Sequence, residues 1–549
     1  MLTILICITG GSISMFLRRL RDVPLVLLAV LLLLPVLSVA ASWLDWNAAS
    51  GQILREMAAT VLPGYVVTSV VLCLAVAVGV AVVGSATAAA VTLFDFPGRR
   101  VFEWALLLPL AMPAYVVAYA YTDFLQFSGP FQSWVRGQFG LQGRVFPEVR
   151  NLPGAAWVFI FTLYPYVYLL VRAALAERAA HLMEAARLLG APLARRIGRV
   201  AFPLARPAVA AGMALALMET LADFGVASYF GIQTFSAGIY KAWLAMDNRI
   251  AAAQLATMLL VVVALLLGLE LRAQRRLRFA AGTRAGGAEA LPVPLRGGQR
   301  WVAWAVCGLP VLLGFVLPVA FMLRPLLADW SVLPWDRFLA WSFNSLRLGA
   351  ISAALAVAAA LLLAFQLRRS PNALTRGVAQ LAGLGYAVPG AVLVVGLLLP
   401  VGWLQRTWPQ SGAGYWMTAT MLGIVWAYLV RFVSVALQSV QSGYARIPAS
   451  LDDSARMLGA GGMSLLARVH WPLLKRSAAA AGLLVFVDVM KELPATLVLR
   501  PFDSDTLAVV AYQLARDERL GEAALPSLAL VLVGLVPVIL LSRTLRSAR

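Results

Sequence analysis

No phosphate-binding loop of the form G-x-x-x-x-G-K-[ST] occurs in the 549 residues, so the chain has no means of its own to hold and spend ATP. Cysteine is scarce. Cys7, Cys73 and Cys307 lie in or near apolar segments without paired spacing, which excludes a disulfide framework and a cysteine metal site. The two histidines, His181 and His470, belong to no H-E-x-x-H or Ser/His/Asp arrangement, so no catalytic constellation is present and both read as polar residues of cytoplasmic helices. Charge is thin as well: 13% of residues are charged against 61% hydrophobic, which excludes a soluble protein of two or three domains.

What is there is a succession of apolar runs of about 20 residues, the length that crosses a bilayer as helix. They fall near 24–39, 65–92, 101–122, 154–171, 207–230 and 251–271, and again near 302–323, 345–366, 377–402, 416–438, 477–499 and 523–542. The expected fold is an all-α polytopic membrane protein with about 12 transmembrane helices. The net charge of +20 does not point to nucleic acid, because the basic residues cluster between the runs. With both termini inside, most of them fall on the cytoplasmic side, including Arg99, Arg100, Arg368, Arg369 and Arg376, as the positive-inside rule requires. Met15, followed by Arg18, Arg19 and Arg21, is an alternative start to Met1, and the first run is read as a retained helix rather than a cleaved signal. Aromatic residues such as Trp43, Trp46, Trp330, Trp335 and Trp341 gather near predicted span ends, where amphipathic rings favour the interface.

The chain is a tandem duplication. Glu184 to Leu204, EAARLLGAPLARRIGRVAFPL, returns without a gap as Asp453 to Leu473, DSARMLGAGGMSLLARVHWPL. Each copy opens on an acidic residue and small residues, reaches Gly190 or Gly459, continues as a basic amphipathic stretch, and meets Pro203 or Pro472 before an apolar run. Glycine tolerates positive φ and so can close one short helix and turn into the next. Ser450, three residues before Asp453, is a plausible partner in a helix-capping pair. Residues 271–300, rich in Arg, Gly, Ala and Pro, read as a basic cytoplasmic linker between a first repeat, 1–270, and a second, 301–549. Both repeats have the same orientation, so they are parallel six-helix repeats with a pathway expected between them.

Four carboxylates fall inside the apolar runs. Glu219 and Asp223 follow the first loop, and Asp488 and Glu492 occupy the matching places after the second. The i, i+4 spacing places each pair on one helical face. Counted from Pro207, Glu219 lies about 18 Å deep at the helical rise of 1.5 Å per residue. An ionised carboxylate there costs on the order of 2.5–3.5 kcal/mol, so it belongs in a polar or wet interior. Two readings stay open: the four line a cation pathway, or they pair with Lys491 and cap helix breaks at Gly225 and Pro494.

The E-A-A, Gly and Pro-Leu spacing, present twice between transmembrane segments, resembles the EAA loop of binding-protein-dependent ABC importer permeases, the MetI-like type. The resemblance implies that Glu184, Ala185, Ala186 and Gly190, with Asp453, Ser454, Ala455 and Gly459, belong to coupling helices seated in a cytoplasmic ATPase. Asp453-Ser454-Ala455 departs from Glu-Ala-Ala, so the two loops need not grip alike. The tandem fusion and the stretch from Lys491 to Ala508, KELPATLVLRPFDSDTLA, look like the ferric iron permeases of that family, to which thiamine permeases are related. The resemblance implies a multi-pass subunit of the bacterial inner membrane with an ATPase homodimer below and a periplasmic substrate-binding protein above. It implies ferric iron as cargo, no cofactor bound by this chain, ATP used by the partner subunit, and no enzymatic activity of its own. Hard carboxylate oxygens suit ferric iron without identifying it, and no metal-ligand set is assigned. A thiamine or other small-solute permease is the alternative. A carrier driven by an ion gradient would use intramembrane carboxylates as proton or sodium sites, but it has no need of duplicated coupling loops.

Overall fold

A bilayer interior offers no hydrogen-bond partner to the backbone, so apolar runs of this length must satisfy their amides as helices. The computed structural model describes residues 23–44, 48–176, 180–280, 292–328, 330–331 and 333–547, and it is helical along nearly all of them. Met15, Cys7, Arg18, Arg19, Arg21, Trp46, Arg549 and the middle of the linker around Arg284 lie outside the described residues. Ten helices among the described residues are long and apolar enough to cross a membrane. The pair Arg99–Ala111 and Ala114–Phe139, bent by 89°, makes an eleventh. At the remaining expected position stands the 21-residue helix Trp471–Lys491. Its length suits a span, and Lys475, Arg476, Asp488 and Lys491 dilute its apolar character.

Besides the bent pair, which breaks the run near 101–122, three further runs expected to be continuous are broken. The helix Phe202–Ala222 stops at Asp223 and is followed by Gly225–Phe230. Trp471–Lys491 stops at Glu492 before Pro494–Leu499, the same break at the matching place. The third lies between Ala373–Leu384 and Gly390–Thr407, where Pro389 stands in extended conformation before the new helix. Proline lacks the amide that would continue the ladder and fits the start of a helix, which fixes the breaks before Pro389 and Pro494.

The chain forms two compact units. One comprises Leu346–Val489 and Val498–Asp503 with the described part of Met1–Leu44; the other comprises Met490–Leu497 with the described parts of Asp45–Ser345 and Ser504–Arg549. In the first unit, the span Val23–Ala41 packs on spans of the second repeat. Trp426 Nε1–H donates to the Leu31 carbonyl at 2.7 Å, and the Ser38 hydroxyl donates to the Gly396 carbonyl. A Cβ at Gly396 would lie 2.1 Å from the Pro35 oxygen, so only glycine allows this backbone approach.

The second unit is built around the helices Leu62–Leu93, Leu152–Ala174, Phe202–Ala222 and Arg249–Ala280, with Tyr164, Tyr168 and Phe159 fully buried among them. Here the opening span of the second repeat, Gly298–Ala328, packs on the first repeat. The Tyr121 hydroxyl donates to the Leu313 carbonyl at 2.7 Å, and Phe124 stacks on Phe321 at 3.9 Å between centroids. The end of the linker is tied down too: Val293–Pro294 pairs in parallel with Phe94–Asp95, and Trp304 Nε1–H donates to the Pro97 carbonyl at 3.0 Å. Each repeat's first span thus packs against the other repeat.

Candidate coupling loops and intramembrane carboxylates

The two duplicated loops fold alike, element for element. Ala180–Leu188 and Ala449–Met457 are the first helices. Each ends in the same closure. In the first, the Gly190 amide donates to the Arg187 carbonyl at 2.9 Å and the Ala191 amide to Ala186 at 3.0 Å; in the second, Gly459 donates to Arg456 at 2.9 Å and Ala460 to Ala455 at 3.0 Å. This is a Schellman pattern, and it needs a left-handed residue after the helix. Gly190 has φ +75 and Gly459 φ +82.

After the turn, each chain passes through a π-helical segment, Ile197–Ala201 and Leu465–His470. There the Phe202 amide bonds the Ile197 carbonyl and the Trp471 amide bonds Leu466, five residues back in both cases. Pro203 and Pro472 follow at once. A proline ring collides with the carbonyl four residues before it, and the widened turn makes room for it.

The acidic openings face outward. Glu184 pairs with Arg187 at 3.7 Å and Asp453 with Arg456 at 3.2 Å, both exposed. Ser450 does not cap its helix: Pro448 holds the cap position, and Ser450 uses its carbonyl to accept from the Ser454 hydroxyl at 2.9 Å inside the first turn.

Composition alone did not single out the apolar tips. Leu188 and Leu189 are 82% and 86% exposed just before Gly190, and Met457 and Leu458 are 89% and 88% exposed just before Gly459. The R-L-L-G and R-M-L-G spacing carries the signal, since a helix that ends on a left-handed glycine projects the residues preceding it. Two side chains so exposed, at the same place in both copies, form apolar knobs fit for a partner's cleft.

Sequence reasoning also missed a buried polar cluster under the second loop. Arg368, at the end of the helix Trp335–Arg369, grips Asp452 with two nitrogens, at 2.6 and 3.1 Å. It also donates to the carbonyls of Tyr444, Ile447 and Pro448 at 3.2, 2.9 and 3.0 Å. His470 Nε2 lies 3.0 Å from Asp452 Oδ1, the oxygen that also accepts from Arg368 Nη2, and its Nδ1 lies 3.2 Å from the Tyr444 hydroxyl. His470, read from the sequence as a polar helix residue, is fully buried. Burial alone would push the Asp452 carboxyl up, but hydrogen bonds from Arg368 and His470, and their charge, outweigh it and hold it below the usual carboxylate range.

The four carboxylates separate into two kinds. Asp223 and Glu492 lie beyond their helices rather than on a helical face. Asp223 has extended ψ at 132, and its carboxylate accepts from the Val226 amide at 2.8 Å. Glu492, buried, accepts from the Ala495 and Thr496 amides at 3.0 Å each and from the Thr496 hydroxyl at 2.8 Å. Both satisfy amides that open the short helix after the break. Glu219 and Asp488 sit one turn earlier, within Phe202–Ala222 and Trp471–Lys491, and are half-buried. Lys491 donates to the Leu110 carbonyl at 3.0 Å. Among the described residues no three His, Cys, Asp or Glu converge to hold a metal ion.

Residues 81–279, which contain the first loop and the break after it, match the family described as binding-protein-dependent transport system inner membrane component. Similarity to individual proteins runs further. An Fe(3+)-transport system permease protein of Haemophilus influenzae, FbpB 2, is 24% identical over 86% of this chain and 88% of its own length. A probable ABC transporter permease of Sinorhizobium fredii, y4fN, is 25% identical over 86% of this chain and 85% of its own. A ferric transport system permease protein of Actinobacillus pleuropneumoniae is 23% identical over 75% of this chain and 61% of its own. Residues 81–279 thus carry the domain of the binding-protein-dependent transport system inner membrane components, and with its two like-folded loops and apolar spans the chain resembles the ABC transporter permeases along most of its length.

Proposed function

We propose that this permease is the translocating subunit of an ATP-driven importer whose cargo is ferric iron. The observation that carries the importer reading is the pair of identical loop closures, each presenting two exposed apolar residues before a left-handed glycine. Such knobs fit two clefts of a cytoplasmic ATPase homodimer, with Glu184, Ala185, Ala186 and Gly190 forming one contact and Asp453, Ser454, Ala455 and Gly459 the other. The chain binds no cofactor of its own in this reading, and the ATP is held by the partner. Both termini lie in the cytoplasm, with a periplasmic binding protein delivering cargo to the opposite face. Glu219, Asp223, Asp488 and Glu492 are the candidates for the path, Asp223 and Glu492 accepting from backbone amides beyond the helix ends and Glu219 and Asp488 standing one turn earlier within the helices.

Iron rests on the names of relatives that match most of the chain and on the Lys491–Ala508 stretch. Putative 2-aminoethylphosphonate permeases of Salmonella, by contrast, match over 32% of this chain. The test is uptake by vesicles containing this chain, its ATPase and its binding protein, with radioactive ferric iron and radioactive thiamine in parallel. Iron accumulation that requires ATP is the expected result. Thiamine accumulation without iron would redirect the cargo, and uptake driven by an ion gradient without ATP would sink the importer reading.

A further inference from the structure

The cluster of Arg368, Asp452, His470 and Tyr444 belongs to one repeat only. Where the second loop has Asp452 and His470, the matching places of the first loop hold Met183 and Ala201, both buried. Leu175, buried, stands for Tyr444. At the same interval Arg368 corresponds to Arg99, which pairs with Asp95 and Glu103 of its own segment at 4.0 and 3.5 Å. The loops therefore share one backbone but are held differently: the first at Met183, Ala201 and Leu175 by apolar side chains, the second by a bidentate ion pair, three arginine–carbonyl hydrogen bonds and a histidine engaged at both nitrogens.

The difference is mechanical. Apolar contacts are non-directional and let a short helix slide, whereas bidentate arginine–carboxylate bonds fix distance and orientation together. The cluster ties three elements: the end of Trp335–Arg369, the helix Ala449–Met457 that carries the exposed Met457 and Leu458, and the π-helical turn leading into Trp471–Lys491, the helix of Asp488.

We propose that Asp452 is a positioning residue of the transport cycle: clamped by Arg368 and His470, it makes the second loop a rigid lever between the ATPase contact and the membrane helices, while the first loop follows compliantly. The inference rests on the importer reading above. It assigns the two halves of the permease unequal work.

The experiment measures uptake and ATP hydrolysis in the same vesicles, containing the permease with its ATPase and loaded binding protein, and reads cargo moved per ATP. Wild type fixes the ratio; if wild type moves nothing with ATP, the importer reading fails and not this inference. Asp452→Ala is expected to assemble and hydrolyse ATP while the ratio falls about fivefold or more, the scale of a coupling free energy of 1 kcal/mol or above. Because Asp452→Ala leaves Arg368 with a buried charge, the triple variant Arg368→Thr, Asp452→Met, His470→Ala installs the first loop's residues at 452 and 470 and removes that burden by neutralising 368. It too should assemble and lose coupling. Met183→Leu in the first loop should keep the wild-type ratio. A merely structural role would lower the amount of assembled complex and leave cargo per ATP unchanged; that result in the triple variant overturns the proposal.

Discussion

At Glu492, three donors converge on one carboxylate in a helix break, and Asp223 repeats the arrangement with the Val226 amide. A side chain in that position holds the next helix's first amides, so its loss is felt as stability. Glu492→Ala should destabilise the protein by about 1–2 kcal/mol, the usual range for losing a helix cap. Glu219 and Asp488 lie one turn before the breaks, within their helices. Glu219→Gln with Asp488→Asn keeps size and hydrogen-bonding ability, so protein level and melting temperature should stay at wild type while iron uptake falls. Thermal unfolding in detergent and uptake in the same cells separate the two pairs. Full uptake by the double variant at normal protein level would remove these residues from the path. Loss of protein and uptake together, restored by also replacing Lys491 with Met, would instead favour an ion-pair role, since an unpaired buried charge costs about 3–5 kcal/mol.

Within the duplicated loops, the turn is set by φ and by nothing else nearby: a Cβ at Gly190 or Gly459 would meet no atom within 4 Å. Replacing either with valine therefore strains only the backbone, by about 1–2 kcal/mol at a left-handed position. Gly190→Val and Gly459→Val should insert normally yet co-purify with less ATPase and support less uptake. Normal assembly and uptake in both would show that the turn is dispensable. The loops were legible in sequence because glycine and proline mark backbone events directly, and both recur at one interval. The clamp under the second loop was not, because Arg368 and Asp452 are far apart in the chain and hydropathy gives no pairing. The breaks at Asp223 and Glu492 were half legible. Apolar runs near 207–230 and 477–499 read as continuous, and the acid that caps a break has the same composition as an acid that lines a path.

At the scale of the molecule, hydropathy reads the length of a span but not its neighbour. The halves are plain in the duplication, yet Val23–Ala41 packs on Gly396 of the second repeat and Gly298–Ala328 packs on Tyr121 and Phe124 of the first. Only the glycines at these contacts hint at close backbone approach, and they do not say to what. Orientation is testable without any partner. In a background lacking Cys7, Cys73 and Cys307, single cysteines replace Arg99, Arg284, Arg549 and Arg144 in turn, and intact spheroplasts are treated with an impermeant thiol reagent. Only the Arg144 site, exposed beside Glu148, should react, and labelling at Arg284 would overturn the twelve-span topology and the cytoplasmic placement of both loops. The exchanged spans make a further demand. If the chain is cut within 281–291 and the pieces are expressed apart, each keeps a first span whose contacts lie in the other piece. Each should therefore be degraded alone, and co-expression should restore both to comparable levels. Stable accumulation of either piece by itself would mean that the exchanged contacts contribute little to holding this permease together.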